Sequence, residues 1–395
     1  MRLGVYADLV YRRDGDVLST DRAFVLFATG LAEHVDELVV FGRLAPEPGR
    51  APYALPPGVR FVPFPHYGRV TDLLGVLRSL RGARAAFRRE LRELDAVWLF
   101  GPYPVSLVLA RDALRARTPL FLGVRQDFPA YVRNRLPSRR WAWAVAVAQG
   151  FELLFRRLAR KAPAVVVGEE LGRAYGSGGA KVLVAGFSLI RRDDVVPAGE
   201  ALARPWDGER LRLLTVGRID AEKNPLLLPE ILAGLRRLDP RWELTVVGEG
   251  ALEQRLRERA RELGVADSLH VRGYVANGPE LWALYREANA FIHVSFTEGL
   301  PQVLFEAAAA GTPVVATAVG GVAAGLGGGE RGLLVPPDDA AAAVAALERL
   351  RAEPELRERF VRAGLAHADA TTMDAQLARI AAFFRDDLAA RFQRT

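Results

Sequence analysis

Short apolar runs alternate with helical patterns along nearly the whole chain. In the first half they are Leu38 to Phe41, Ala96 to Phe100, Leu120 to Val124 and Ala164 to Val167. In the second half they are Leu211 to Val216, Glu243 to Val247, Leu269 to Val271, Ala290 to Val294, Pro313 to Ala316 and Gly332 to Val335. Strand–helix alternation of this kind predicts parallel sheets with helices on both faces. Met1 to Asp8 reads as a further short strand, because Asp8 interrupts the apolar run too early for a signal-peptide core. Between about 190 and 210 the alternation stops, and Arg191-Arg192-Asp193-Asp194 with Pro197, Pro205 and Gly208 suit an exposed connection.

The pattern therefore predicts an α/β chain of two Rossmann-like, doubly wound domains facing a central cleft. The first is expected over 1–195 and the second over 205–370, with a C-terminal helix over 371–395 packing back on the N-terminal domain. In open parallel sheets ligands sit beyond the carboxyl ends of the strands, so each domain would present one substrate to the cleft. The longest apolar stretch, Trp141 to Phe155, is broken by Gln149, Gly150 and Glu152. It falls short of the roughly 20 residues a spanning helix needs, and no transmembrane helix is expected.

Composition narrows the chemistry. With 50% hydrophobic and 26% charged residues among 395, the chain is globular in type, which excludes disorder and collagen-like sequence. The absence of cysteine excludes a disulfide framework, a zinc–thiolate site, an iron–sulfur cluster and a thiol nucleophile. A reducing cytoplasm is the expected location. The net charge of +7 sits in the first half, where residues 1–200 carry 30 Lys and Arg against 20 Asp and Glu, while the remainder carries 24 against 27. Of the 54 basic residues only Lys161, Lys181 and Lys223 are lysine, so a lysine in a loop draws notice.

One such lysine follows the strand Leu211 to Val216, in Gly217-Arg218-Ile219-Asp220-Ala221-Glu222-Lys223-Asn224-Pro225. Gly217 permits close backbone approach, and Arg218 as a planar fork with Lys223 as a point charge could grip a diphosphate. Further on, Pro301 suits the first turn of a helix and Gly311 its C-terminal cap. Backbone N–H groups at Gly299, Leu300 and the residues after Pro301 would then offer an anion site. Glu298 precedes that helix and Glu306 lies on it, roughly two turns apart, so they reach different parts of one extended ligand. Carboxylates beside a diphosphate site suit the hydroxyls of a sugar or a ribose. Read singly, each of these residues is equally a solvated loop charge or a helix-start acid.

Taken together, residues 211 to 340 resemble the donor-binding half of glycosyltransferase family 4, retaining nucleotide-sugar enzymes of the two-Rossmann-domain GT-B type. The likeness rests on Gly217-Arg218-x4-Lys223-Asn224, Val247-Gly248-Glu249-Gly250, Val271-Arg272-Gly273-Tyr274, Glu298-x7-Glu306, Gly311-Thr312-Pro313-Val314-Val315 and Val319-Gly320-Gly321. It implies that Arg218 and Lys223 bind the nucleotide diphosphate, that Glu306 binds the ribose, that Glu298 lies by the donor sugar and that Gly273 and Tyr274 lie near the base. Gly217, Gly248, Gly299 and Leu300 would complete the donor site. A nucleoside-diphosphate sugar of UDP or GDP type is then a donor substrate, and no cofactor is implied. The departure is Val322-Ala323-Ala324-Gly325, where relatives often carry an acid.

The first half matches less well. Where relatives have a glycine-rich loop, this chain has Tyr11 to Arg22, in which Gly15, Ser19 and Thr20 are candidate donors before a helix starting near Asp21; a plain turn and cap fits equally. After Leu120 to Val124 comes Arg125-Gln126-Asp127, where many relatives put a histidine, so Asp127 or Gln126 would take that catalytic place. Residues 133 to 161 hold eight basic side chains against the single acid Glu152, around Trp141, Trp143, Phe151 and Phe155. That describes either a helix lying in an anionic membrane interface or a buried helix with solvated ends. The first reading makes the protein peripheral on the inner face of a membrane, with a lipid-linked sugar as acceptor beside a glycan or small molecule. The five histidines show no metal-ligand spacing, and no metal is expected.

Two rivals remain from other classes. An NAD-dependent dehydrogenase would want Gly-x-Gly-x-x-Gly directly after a strand, and Gly248-Glu249-Gly250 begins that way and stops. A nucleic-acid-binding protein would interleave basic and aromatic residues over one face, which only 133 to 161 does, and a membrane suits that segment better.

Overall fold

A computed structural model describes residues 1–67, 73–133, 142–177 and 179–393. The chain divides into two units, one formed by Met1–Leu189 with Met373–Thr395 and the other by Ile190–Thr372.

In the first unit β1 (Arg2–Asp14), β3 (Glu37–Leu44), β5 (Arg60–Phe64), β6 (Ala96–Gly101), β7 (Leu120–Val124), β8 (Ala164–Val166) and β9 (Val182–Val184) pair in parallel, in the order β5-β3-β1-β6-β7-β8-β9. Of the two remaining strands, β2 (Val17–Thr20) pairs antiparallel with the far end of β1, and β4 (Tyr53–Ala54) pairs antiparallel with β2. Side chains alternate across this sheet with the two-residue period of a strand. Val97 and Leu99 of β6, with Leu120 and Leu122 of β7, join the core under the helices Leu73–Glu90 and Pro104–Ala116. Trp98, Phe100 and Phe121 point the other way into an aromatic layer with Phe24, Phe187 and Phe384.

Phe384 explains why the last helix, Met373–Phe392, belongs with the first unit. Its ring lies 4.1 Å from that of Phe121 and 5.4 Å from Trp98, and the side chain is fully buried. Gln376 Oε1 accepts from the Gly186 N–H at 3.1 Å, and Lys181 pairs with Asp387 at 3.3 Å.

The opening of the chain differs from its expected form. β1 is thirteen residues long and turns straight into β2, pairing Arg12 with Ser19 and Asp14 with Val17. The Tyr11 to Arg22 segment is thus a hairpin, not a phosphate-cradling loop, and the following helix is Phe24–Gly30. The far part of β1 keeps the strand period: Leu9 and Tyr11 are buried, Val10 between them is half-buried, and Arg12 and Arg13 run out into solvent.

The second unit carries β10 (Leu211–Val216), β11 (Trp242–Val247), β12 (Leu269–Val271), β13 (Ala290–His293), β14 (Val314–Thr317) and β15 (Leu333–Val335). They pair in parallel in the order β12-β11-β10-β13-β14-β15, the 3-2-1-4-5-6 arrangement of a doubly wound sheet. Leu211, Leu213, Trp242, Leu244, Ile292 and Val315 face a core closed by the helices Leu227–Leu238 and Ala340–Ala352. Leu214, Phe291, Val314 and Ala316 face the other layer, closed by Pro279–Glu287 and Gln302–Ala309.

The segment after Leu189 exposes Arg191, Arg192, Asp193, Pro197 and Pro205, as its charges and prolines suggested, yet it is also seated on the second unit. Val196 and Ala201 are buried against Val361 and Leu365, and the Val196 N–H donates to Ala309 O at 2.9 Å. Val196 and Ala201, on either side of Pro197, seat it on the second unit. Truncating the aromatic key of the first unit tests the packing of the last helix. Phe384→Ala should cost about 3–5 kcal/mol of stability, the range for a buried phenylalanine, read by urea denaturation followed through tryptophan fluorescence. A loss below about 1 kcal/mol would show that the helix is not anchored there.

Candidate donor site at the strand-order reversal

The order of strands reverses between β10 and β13, and the helices that follow these two strands lie on opposite faces of the sheet. The chain therefore leaves the sheet in opposite directions there, which opens a crevice at the carboxyl ends. The sequence puts polar chemistry at that point. β10 runs out into Gly217-Arg218 and a 3₁₀ turn over Ala221–Lys223, while β13 runs out through His293 into Ser295 and Glu298.

Glycines set how closely the neighbouring loops lie. A Cβ on Gly248 would stand 1.9 Å from Gly217 O, and one on Gly250 2.4 Å from Ile219 O. The Gly217 N–H donates to Val247 O and the Ile219 N–H to Glu249 O, each at 2.9 Å. Gly248 and Gly250 thus serve loop-against-loop packing. On the other side, a Cβ on Gly320 would stand 1.9 Å from Glu298 O and one on Gly321 1.8 Å from Gly299 O. The Gly320-Gly321 pair after β14 is the floor under the Glu298 loop.

Lys223 Nζ donates to Glu298 Oε1, joined there by Ser295 Oγ at 2.6 Å and His293 Nε2 at 2.8 Å. Thr317 Oγ1 donates to Ser295 O at 2.8 Å and fixes the segment from below. Partial burial pushes the Glu298 carboxyl up, but the hydrogen bonds from His293, Lys223 and Ser295 outweigh it and hold the group at about 2. Arg218 donates to Asp220 at 2.6 Å and also pairs with Glu222, and its side chain is half exposed. Gly217, Arg218, Lys223, His293 and Ser295 line one small hollow.

Asn224 takes a left-handed conformation, φ +48°, and donates from its side chain to Asp338 at 3.1 Å, which seats the turn carrying Lys223. The helix expected from Pro301 runs over Gln302–Ala309, with Pro301 as its N-cap residue. It ends at Gly311, φ +63°, where the Thr312 N–H donates to Ala307 O at 2.8 Å. Gly299 and Leu300 are exposed at its amino end.

Glu306 stands apart from this network. Its Oε2 accepts from the Tyr285 hydroxyl at 2.8 Å, and burial, with the Asp194 charge nearby, raises its carboxyl above the ordinary value. Among the described residues no hydrogen bond or ion pair links Glu306 to Arg218, Lys223 or Glu298. Gly273 and Tyr274 follow β12, where the Tyr274 N–H donates to Glu249 at 3.3 Å and its ring is exposed. Asp127 belongs to the first unit, where its carboxylate accepts the Ala130 N–H at 2.8 Å and caps the helix Phe128–Arg133. Gln126 beside it is partly buried. Among the described residues no three His, Asp or Glu side chains gather into a metal-holding group, and no helix is long and apolar enough to cross a membrane.

Sequence reasoning missed His293, Ser295, Thr317, Tyr285 and Asp194. The available signal was a polar pair two residues apart, His293 and Ser295, at the end of an otherwise apolar strand, where both side chains share one face.

The sequence profile of the glycosyl transferases group 1 matches residues 203–367. Glycogen synthase of Mycobacterium tuberculosis is 32% identical over 288 residues, covering 71% of this chain and 67% of that protein. A D-inositol 3-phosphate glycosyltransferase of Segniliparus rotundus is 33% identical over 210 residues, covering 49% of this chain and 46% of that protein, so the match spans about half the length of such relatives. Among solved structures, Anabaena HepE in complex with UDP superposes with a TM-score of 0.70 at 15% identity, covering 99% of this chain and 100% of that one, and shares the fold.

The two glutamates differ in sign as stability terms. Glu298 at about 2 lies below its ordinary 4.5, so it stabilises the fold above that value and loses the contribution as pH falls toward 2. Glu306 is raised, so ionising it opposes the fold as pH climbs through its folded value. Glu298→Gln should therefore lower stability at pH 7, with the loss shrinking in acid. Glu306→Gln, which still accepts from Tyr285, should raise it, with the gain vanishing below about pH 4. Urea midpoints from about pH 3 to 7 check both, and responses of the same sign would refute the assignment.

Proposed function

Because the chain belongs to the group 1 glycosyl transferases, we propose that it moves a hexosyl group from a nucleoside diphosphate of UDP or GDP type to an acceptor, with retention and without a metal, in the manner of family 4. The observation that carries this reading is the pair of cations, Arg218 and Lys223, lining one hollow at the carboxyl end of β10 beside the ionised Glu298. The bond between sugar C1 and the diphosphate oxygen breaks while the acceptor oxygen bonds to C1 on the same face. The acceptor proton passes to the leaving phosphate oxygen. Charge grows on the diphosphate, and fixed cations lower that barrier with little reorganisation. Front-face attack needs no protein nucleophile. Glu298 accepts from donor-sugar hydroxyls and Glu306 from the ribose, while Gly217, Gly248, Gly299, Leu300, Gly273 and Tyr274 line the donor.

In this reading Asp127 or Gln126 of the first unit lies by the reacting sugar, and the acceptor is a glycan, a lipid-linked sugar or a small molecule. The helix Trp143–Ala159 favours an acceptor at a membrane. It buries its acid, Glu152, at 4% exposure beside Arg156, and turns Trp143, Leu153 and Leu154 outward at 59%, 51% and 45%. Val147 is exposed as well, and the helix runs out into exposed Arg157, Arg160 and Lys161. Outward apolar turns running into basic ones suit the headgroup layer of an anionic bilayer. Arg135, Arg139, Arg140 and Trp141 of the basic segment lie outside the described residues. The protein then works in the cytoplasm, peripheral on the inner membrane face.

Two measurements test these readings. UDP or GDP should raise the thermal midpoint without magnesium, and Arg218→Ala or Lys223→Ala should lower donor-sugar turnover about 10²–10³-fold in a folded protein. Near-normal rates in both variants would refute the diphosphate role. Vesicles containing phosphatidylglycerol should sediment the protein where phosphatidylcholine vesicles do not, and Leu153→Glu with Leu154→Glu should release it. Equal recovery with both vesicle types would refute the membrane face.

A further inference from the structure

We infer that His293, with Ser295, holds the Glu298 carboxylate in place so that Lys223 can leave it for the donor diphosphate, a positioning role that rests on the transferase reading above.

The supply of protons at Glu298 limits which contacts can exist. Three groups converge on its Oε1: Lys223 Nζ, Ser295 Oγ at 2.6 Å and His293 Nε2 at 2.8 Å. The carboxylate carries no proton at neutral pH, so every contact with it needs a proton from the other side. Ser295 has one hydroxyl proton, and its short contact with Glu298 takes it. The Ser295 Oγ to His293 Nε2 distance of 3.1 Å then spans two groups that both donate elsewhere. His293 Nε2 must carry a hydrogen, which excludes that nitrogen as a general base and makes the residue a donor to Glu298.

Redundancy supplies the function. With only one donor beside Lys223, the partly buried carboxylate would lean on the lysine, and a diphosphate would have to outcompete a charge pair. With two further donors fixed on β13 and the segment after it, Lys223 can turn to phosphate while Glu298 stays ionised and aimed. The surroundings leave these partners to one another. The other charged groups of the β10 loop, Asp220 and Glu222, are paired with Arg218, and the β14 loop brings Gly320 and Gly321 to the Glu298 loop backbone. Ser295 is anchored independently through Thr317.

Long-range proton–nitrogen NMR of the ligand-free protein, with His293→Gln as the assignment reference, should show His293 protonated at Nε2 at neutral pH. A bare Nε2 overturns the inference whatever the enzyme does. UDP titrations, or GDP if that diphosphate is the one that stabilises the protein, then read the coupling. His293→Phe keeps a ring and loses the donor, and should weaken diphosphate binding about tenfold, the scale of one charge-assisted hydrogen bond. His293→Gln should recover most of the affinity. In a Lys223→Ala background the Phe substitution should have no further effect, which a merely structural role would not produce. If Lys223→Ala leaves diphosphate binding unchanged, the donor-site reading falls and this role with it. If Lys223→Ala weakens binding while His293→Phe does not, only the positioning role falls.

Discussion

A carboxylate drawn partly out of water must be neutralised or surrounded by donors, and that requirement organises the loops around Glu298. Its backbone rests on Gly320 at a distance that no side chain could share, and its Oε1 collects Lys223, Ser295 and His293. Lys223 comes from the loop after β10, His293 and Ser295 from the end of β13 and Thr317 from β14. Two strands that are remote in sequence are tied at one oxygen, and β14 braces the second of them through the Ser295 carbonyl. The reversal of strand order creates the crevice; this carboxylate decides what lines it.

The same economy governs Arg218. Asp220 and Glu222 hold its guanidinium, and Asp220 also accepts the Ala251 N–H at 3.1 Å, so one short loop fixes both the arginine and the turn after β11. Each cation at the hollow is thus matched to an acid within the same unit. In the reading proposed above, a diphosphate entering there would meet charges already directed and exchange one set of anionic partners for another. The cost of creating an unpaired charge in the ligand-free site is avoided.

Much of this was legible in the sequence. In the second unit the strand boundaries agree with the apolar runs to within a residue, because strands buried on both faces read as continuous aliphatic stretches. The strands that escaped are short or lie toward the margins of the first unit: Val17–Thr20, Tyr53–Ala54, Val182–Val184 and Arg60–Phe64, the last containing Pro63. Such short runs carry too little periodicity to register, and proline argues against a strand except near an edge. Arg218, Lys223 and Glu298 were found by type and spacing, and Lys223 and Glu298 do meet. His293 was not, because its signal, a polar pair with Ser295 at the end of an apolar strand, looks the same for a structural histidine until its neighbours are known. Glu306 was found as a residue but not in its setting, since Tyr285 and Asp194 come from segments with no sequence link to it.

Both sheets are doubly wound about a central strand, and the exits of those two strands differ. In the second unit β10 ends where the sheet ends, and its loop is free to present Gly217, Arg218 and Lys223. In the first unit the equivalent central strand, β1, continues past the parallel sheet and is consumed in pairing with β2, while Asp8 on it is held by Arg43 at 3.2 Å and Tyr6 at 2.9 Å. A backbone committed to a hairpin ladder has few N–H groups to offer an anion. In the transferase reading proposed above, this leaves the β10 loop of the second unit as the strand exit with charges to present. What the first unit can still vary without disturbing its sheet are the segments after β5, β6 and β7, and these carry Tyr67, Tyr103 and Asp127.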